Sequence, residues 1–171
     1  PMLLMGDEVG RSQGGNNNTW CQNNPLGWMI WDSKKCDLEL LKFVKKLLIV
    51  RKQLPEIFNP ANLPHYSNDY QKDNTEALWV QWHGVKKNKP DWGHWSHTIG
   101  LSINQGKNGA VMWMGLNAYS ISMFFELPTA SSNWERLLDT ANPSPNDLIT
   151  PEKQPNQKSI ELESKSLVVL L

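Results

Sequence analysis

An excess of charge of either sign is missing from this chain. Its 171 residues carry 17 Lys and Arg against 17 Asp and Glu, and a formal net charge of +0. That balance leaves no electrostatic footprint for nucleic acid or an anionic membrane surface. Cysteine is scarce too. Cys21 and Cys36 are too few for a disulfide framework, no His/Cys spacing suits a metal, and a reducing compartment is the default. Long apolar runs are absent: "MLLM" near the start is far too short to span a membrane, and no signal peptide is expected. The chain opens on Pro1 and passes directly into apolar residues, which reads as a cut edge. No internal repeat or low-complexity tract occurs. Phe and Tyr are ordinary in number, but 9 tryptophans are many for this length. Indole joins a flat apolar face to one N–H donor. That combination suits the C–H patches of sugar rings as well as protein cores.

Two unequal parts follow from the patterning. "PMLLM" reads as a short buried strand stopped by Gly6, and residues 6–36 as a long polar loop interrupted by "GWMIW". A loop of that length is usually functional or wrapped around something. "DLELLKFVKKLLIVRKQLP" predicts a helix, with Leu40, Leu41, Val44, Leu47, Leu48 and Leu54 at helical spacing, Asp37 as its N-cap and Pro55 as its end. Lys42, Lys45, Lys46, Arg51 and Lys52 form its solvated side. The apolar side is wide and requires a partner surface that residues 1–36 cannot supply. Without one, it is expected to drive association.

"NPANLPHYSNDY" reads as a connector. Beyond it, "EALWVQW", "TIGLSI", "AVMWMGLN", "MFFELP", "WERLLDT", "SIELE" and "SLVVLL" predict strands separated by turn signals, enough for one antiparallel β-sandwich. "HGVKKNKPDWGHWSH" is a long loop between the first two. The expected fold is mainly β: a C-terminal antiparallel β-sandwich at 59–171, preceded at 1–58 by strand, loop and helix, the last βα unit of a truncated (β/α)8 barrel. A whole barrel needs about 250 residues and does not fit.

Candidate chemistry concentrates in "GDEVGRSQGGNNNTWCQNN", residues 6–24. Asp7 and Glu8 are paired carboxylates, but neighbours on a strand point to opposite faces and cannot form a close catalytic pair. An orienting role, such as holding an arginine, suits them better. Asn16, Asn17, Asn18 and Gln22 offer amide donors and acceptors that suit a hydroxyl-rich ligand, and suit Asx turns within the loop equally. Trp20 suits either stacking on a sugar or anchoring the loop. Trp28 and Trp31 are expected to pack under it. Arg11 and Gln13 carry weaker signals. His65, His83, His94 and His97 form no triad or metal set and read as surface or interdomain residues. Trp92 and Trp95 suit interdomain packing or a glucan.

The stretch "PMLLMGDEVGRSQGGNNNTWCQNN", followed by "GWMIWD", resembles the eighth barrel strand and following loop of isoamylase-type glycogen and starch debranching enzymes, members of the α-amylase superfamily of glycoside hydrolases. The chain departs from that pattern at Val9, where Phe is usual, at Trp20, where Tyr is usual, and at Asn23, where Asp is usual. "VRKQLP", "QWHGVKKNKPDWGHWSH", "MGLNAYSISMFFELP", "RLLDT" and "SLVVLL" extend the resemblance over essentially the whole chain, towards the bacterial and plant-plastid branch.

The resemblance implies hydrolysis of α-1,6 branch points of glycogen, starch or limit dextrin with retention and without an organic cofactor. Retention uses two carboxylates about 5–5.5 Å apart. The resemblance places these after barrel strands that precede Pro1, so no residue here is expected to be catalytic. The partners implied are branched α-glucan and the rest of the barrel. The residues implied to touch glucan are Asn16, Asn17, Asn18 and Trp20, with Asp7, Glu8 and Arg11 supporting them. The location implied is cytoplasmic, or the plastid stroma for a plant-type homologue. Two other readings stay open: a non-catalytic carbohydrate-binding or docking β-module, and a part of another superfamily member such as a pullulanase or branching enzyme.

Overall fold

A computed structural model of the chain describes residues 2–58, 78–144, 146–154 and 157–171. It comprises two compact units, Pro1–Val50 and Arg51–Leu171. The connector expected at 59–70, with His65, lies outside the described residues.

The first unit holds the long loop and most of helix α1 (Leu38–Gln53). Asp37 caps the helix: its Oδ1 accepts the Leu40 N–H at 2.9 Å, while its carbonyl accepts the first ladder bond from Leu41. The helix ends at Gln53, just before Pro55, as expected. Pro55 opens a short second helix, α2 (Pro55–Phe58), because a first helical position needs no N–H from its residue. No residue of α1 is buried, and Leu48 and Ile49 are exposed. Its wide apolar side is therefore only half covered.

The strand expected at "PMLLM" is not formed. Residues 2–4 have no regular structure, and Met2, Leu3, Leu4 and Met5 are all exposed. A strand exists through its hydrogen-bonded neighbour, and among the described residues no strand lies in this unit.

In the second unit all seven expected strands are present: β1 (Leu78–His83), β2 (Thr98–Gln105), β3 (Ala110–Asn117), β4 (Met123–Glu126), β5 (Trp134–Asp139), β7 (Ser159–Leu162) and β8 (Ser166–Leu170). An eighth, β6 (Leu148–Gln154), was not expected. Six strands form one sheet in the order β1-β2-β3-β8-β5-β6, and β4 pairs with β7 in a second sheet. Every named strand pair is antiparallel. The polar composition and Pro151 hide β6, since a proline cannot donate to a ladder and is confined to edges and irregularities. β6 is an edge strand. Its register with β5 jumps from Arg136–Glu152 to Leu138–Leu148, and Pro151 falls inside the jump.

The core lies between the two sheets. Trp113 on β3 and Phe125 on β4 meet edge-on, centroids 5.9 Å apart, with Leu127, Trp134, Leu162, Val168 and Leu170 around them. Burying such rings contributes on the order of 4–6 kcal/mol each. Gly115 makes room for the indole: a Cβ there would lie 2.3 Å from Trp113 Cη2. Asn117 closes the end of β3. It is buried, its Nδ2 donates to the carbonyls of Ile121 and Glu163 at 2.8 and 2.9 Å, and its Oδ1 accepts the Tyr119 N–H.

Candidate functional site

The loop at 6–36 is built from glycine turns and asparagine side chains. Gly6 (φ 104°) and Gly10 (φ 71°) bracket a 3-10 turn at Asp7–Val9. Asp7 and Glu8 are thus on a turn and not on the strand end expected of them. Glu8 Oε2 folds back to accept the Gly6 N–H at 2.8 Å, whereas Asp7 is exposed. Neither holds Arg11. The aliphatic stem of Arg11 instead passes Gly6, and its guanidinium donates to backbone, reaching the Gly27 carbonyl at 2.9 Å and those of Trp28 and Leu26 at 3.4 and 3.5 Å. An arginine fork satisfies several acceptors at once, so Arg11 ties the two arms of the loop together. The loop ends are tied as well: the Asp37 N–H donates to the Val9 carbonyl at 2.9 Å.

The asparagine run divides by role. Asn16 Oδ1 accepts the Asn18 N–H at 2.9 Å, and Asn18 Oδ1 accepts the Trp20 N–H at 3.1 Å, two successive Asx turns. Gln22 locks both, accepting from Asn16 Nδ2 and donating to the Asn18 carbonyl, each at 3.1 Å. Asn17 is exposed and, among the described residues, its amide has no partner. The Trp20 ring is 83% exposed above this frame. Asn16 and Asn18 therefore shape the loop, and Asn17 and Trp20 are the groups it offers outward.

Trp28 and Trp31 do not pack under the loop. Both are exposed, and Trp28 Nε1 donates to Asn23 Oδ1 at 2.9 Å. Gly6 is the only buried residue described in 2–50, so the unit has no apolar interior to receive them.

His83, expected at a surface or between domains, is buried in the β unit. Its Nδ1 accepts the Asn88 N–H at 2.8 Å, and its Nε2 lies 2.9 Å from Ser102 Oγ. Desolvation lowers its pKa from 6.5 to about 4. With Nδ1 accepting, the neutral ring carries its proton on Nε2 and donates to Ser102. A ring in that tautomer cannot take the serine proton, and Ser102 is itself fully buried, so the pair is a structural hub and not an activated nucleophile. No signal in the sequence separates this histidine from the exposed His94 and His97.

The chain is similar in fold to part of the pullulanase from Bacillus acidopullulyticus. The match has a TM-score of 0.59 at 16% identity and covers 96% of this chain and 17% of that one. That likeness establishes the fold class, mainly β with an antiparallel sandwich domain. Residues 81–170 match the family described as isoamylase 1-3, C-terminal, and the chain belongs to that family. It is 31% identical to isoamylase 1, chloroplastic, of Oryza sativa subsp. japonica over 168 residues, which is 98% of this chain and 19% of that protein. It is 33% identical to the glycogen debranching enzyme of Pectobacterium atrosepticum over 104 residues, 61% of this chain and 14% of that one. The chain thus spans less than a fifth of the length of either relative.

Proposed function

We infer that the chain is the C-terminal part of an isoamylase-type debranching hydrolase, which cleaves α-1,6 branch linkages of glycogen or starch with retention and acts in the cytoplasm or plastid stroma. The observation that carries this reading is the match to a chloroplastic isoamylase over 98% of the chain, loop included. On this reading residues 1–58 are the eighth βα unit of the barrel and 59–171 a C-terminal sandwich. The exposed apolar run Met2–Met5 and the half-covered side of α1 support it, since both are surfaces that neighbouring barrel units would cover. Asn17 and Trp20 contact the glucan. Asn16 and Asn18 hold the loop in shape, and Arg11, Glu8 and Asp7 support it from below.

The catalytic carboxylates belong to the rest of the barrel, so the chain alone is inert. A chimera tests both halves of the claim: this chain replaces the matching C-terminal segment of the rice isoamylase, and reducing-end release from amylopectin is measured. Debranching by the chimera and none by the chain alone is the expected result. Debranching by the pure chain, or a folded chimera without activity, overturns the reading.

A further inference from the structure

The β1–β2 loop, residues 84–97, carries two large aromatic rings that the proposed cleft does not use. Trp92 is 65% exposed and Trp95 is 62% exposed. Neither ring is loosely attached. Trp92 meets Trp82 of β1 edge-on, with centroids 5.6 Å apart. Trp95 lies against Gly93, where an added Cβ would come within 2.4–2.9 Å of the indole atoms Cε2, Cζ2 and Cδ2. The contact seats one side of the indole on the glycine, the His94 ring meets it edge-on with centroids 4.8 Å apart, and most of the side chain stays exposed.

The backbone beneath is fixed. The Gly93 N–H donates to Asp91 Oδ1 and the Ser96 N–H to the Gly93 carbonyl, both at 2.9 Å. The Tyr119 hydroxyl donates to the Trp95 carbonyl at 3.1 Å. Further back, the Asn88 N–H is held by buried His83. A surface ordered in advance loses little entropy when it binds.

The surroundings of the rings indicate the ligand. Apart from the two tryptophans, every exposed residue at 86–97 is polar or charged: Lys86, Lys87, Asn88, Lys89, Asp91, His94 and His97. The centre of a protein–protein interface is depleted of such groups. Isolated flat faces amid hydrogen-bonding side chains match a pyranose, which offers an apolar C–H face rimmed by hydroxyls.

We propose that this loop is a carbohydrate-binding site, with Trp92 and Trp95 as stacking platforms for successive glucose units of an α-glucan chain and Gly93 as the residue that sets the Trp95 ring. The choice of α-glucan rests on the debranching reading; the sugar-stacking geometry does not.

The test titrates the full chain with maltoheptaose by calorimetry, comparing W92A, W95A, G93A, W20A and W31A, with near-UV circular dichroism confirming each fold. Saturable binding is expected, weakened about tenfold or more by W92A or W95A, the scale of one aromatic stacking contact. G93A should weaken it although both rings remain, and W31A should not. No saturable binding, or full affinity in a W92A/W95A double variant, overturns the proposal. Loss of binding in W20A alone also overturns it, while leaving the cleft reading intact. Binding of cellohexaose in place of maltoheptaose through Trp92 and Trp95 supports the sugar site and sinks the debranching reading. Self-association abolished by W92A/W95A, without glucan binding, makes the loop a protein contact and overturns the proposal.

Discussion

His83 Nε2 and Ser102 Oγ lie 2.9 Å apart between adjacent strands β1 and β2, both sealed from water. Because Nδ1 accepts the Asn88 N–H, this geometry tolerates only the neutral ring. Protonation would turn Nδ1 into a second donor facing a donor. The pKa near 4, against 6.5 in the open chain, expresses the same preference as desolvation. Between pH 6.5 and 4 the unfolded chain binds a proton that the folded one refuses. Stability is thus full above the unfolded value and declines as pH falls toward 4, by up to about 1.4 kcal/mol per pH unit. Urea midpoints measured across that window should fall with acidity in the native chain and fall less steeply in H83Q. Parallel slopes in the two proteins would remove His83 from the account.

Asn117 leads to a second expectation. Its buried amide donates to the carbonyls of Ile121, Leu162 and Glu163, so N117A removes these hydrogen bonds together, although the Glu163 carbonyl keeps the Ser166 hydroxyl. Each lost hydrogen bond costs roughly 0.5–1.5 kcal/mol, and a loss of about 2 kcal/mol in total is expected. It should appear as a lower urea midpoint with an unchanged slope. N117D, which keeps the shape and the Tyr119 contact but not the donor, should be no better. Near-native stability in either variant would show that water or a rearranged turn replaces the amide.

The contrast between these residues and the strands shows what was legible beforehand. Strands such as "AVMWMGLN" and "SLVVLL" announce themselves because apolar residues and flanking turn formers are local properties. β6 was hidden because Pro151 argues against a strand unless the register jump that accommodates it is known. "PMLLM" failed for the opposite reason: the run is apolar enough, but pairing is supplied by other strands. In the loop, both readings of the asparagines were open, and the geometry assigns turns to Asn16 and Asn18 while leaving Asn17 outward. The burial of His83 and the exposure of Trp28 and Trp31 depend on tertiary cover, which composition and spacing do not encode.

Arg11 permits a test confined to the loop. Its fork reaches carbonyls of Leu26, Gly27 and Trp28 together, and lysine retains the charge without the fork. R11K should raise amide exchange and protease cleavage at residues 22–31, while strands β1 to β8 keep their protection. Unchanged exchange in the loop would mean that the glycine and Asx turns hold it without the arginine.

The helix and the apolar run at the start of the chain set the last expectation. Met2, Leu3, Leu4 and Met5 are exposed, and α1 adds Leu48 and Ile49 to that uncovered surface. Exposed apolar surface of this kind drives association when no partner covers it. The chain should therefore sediment as dimers or larger species, in a manner that depends on concentration. Replacing Leu48 and Ile49 with glutamine should shift it toward monomer without changing the thermal stability of the β unit, because neither side chain is buried. A native chain that sediments as one monomeric species at micromolar and tenfold higher concentrations would show that this surface is covered from within the molecule.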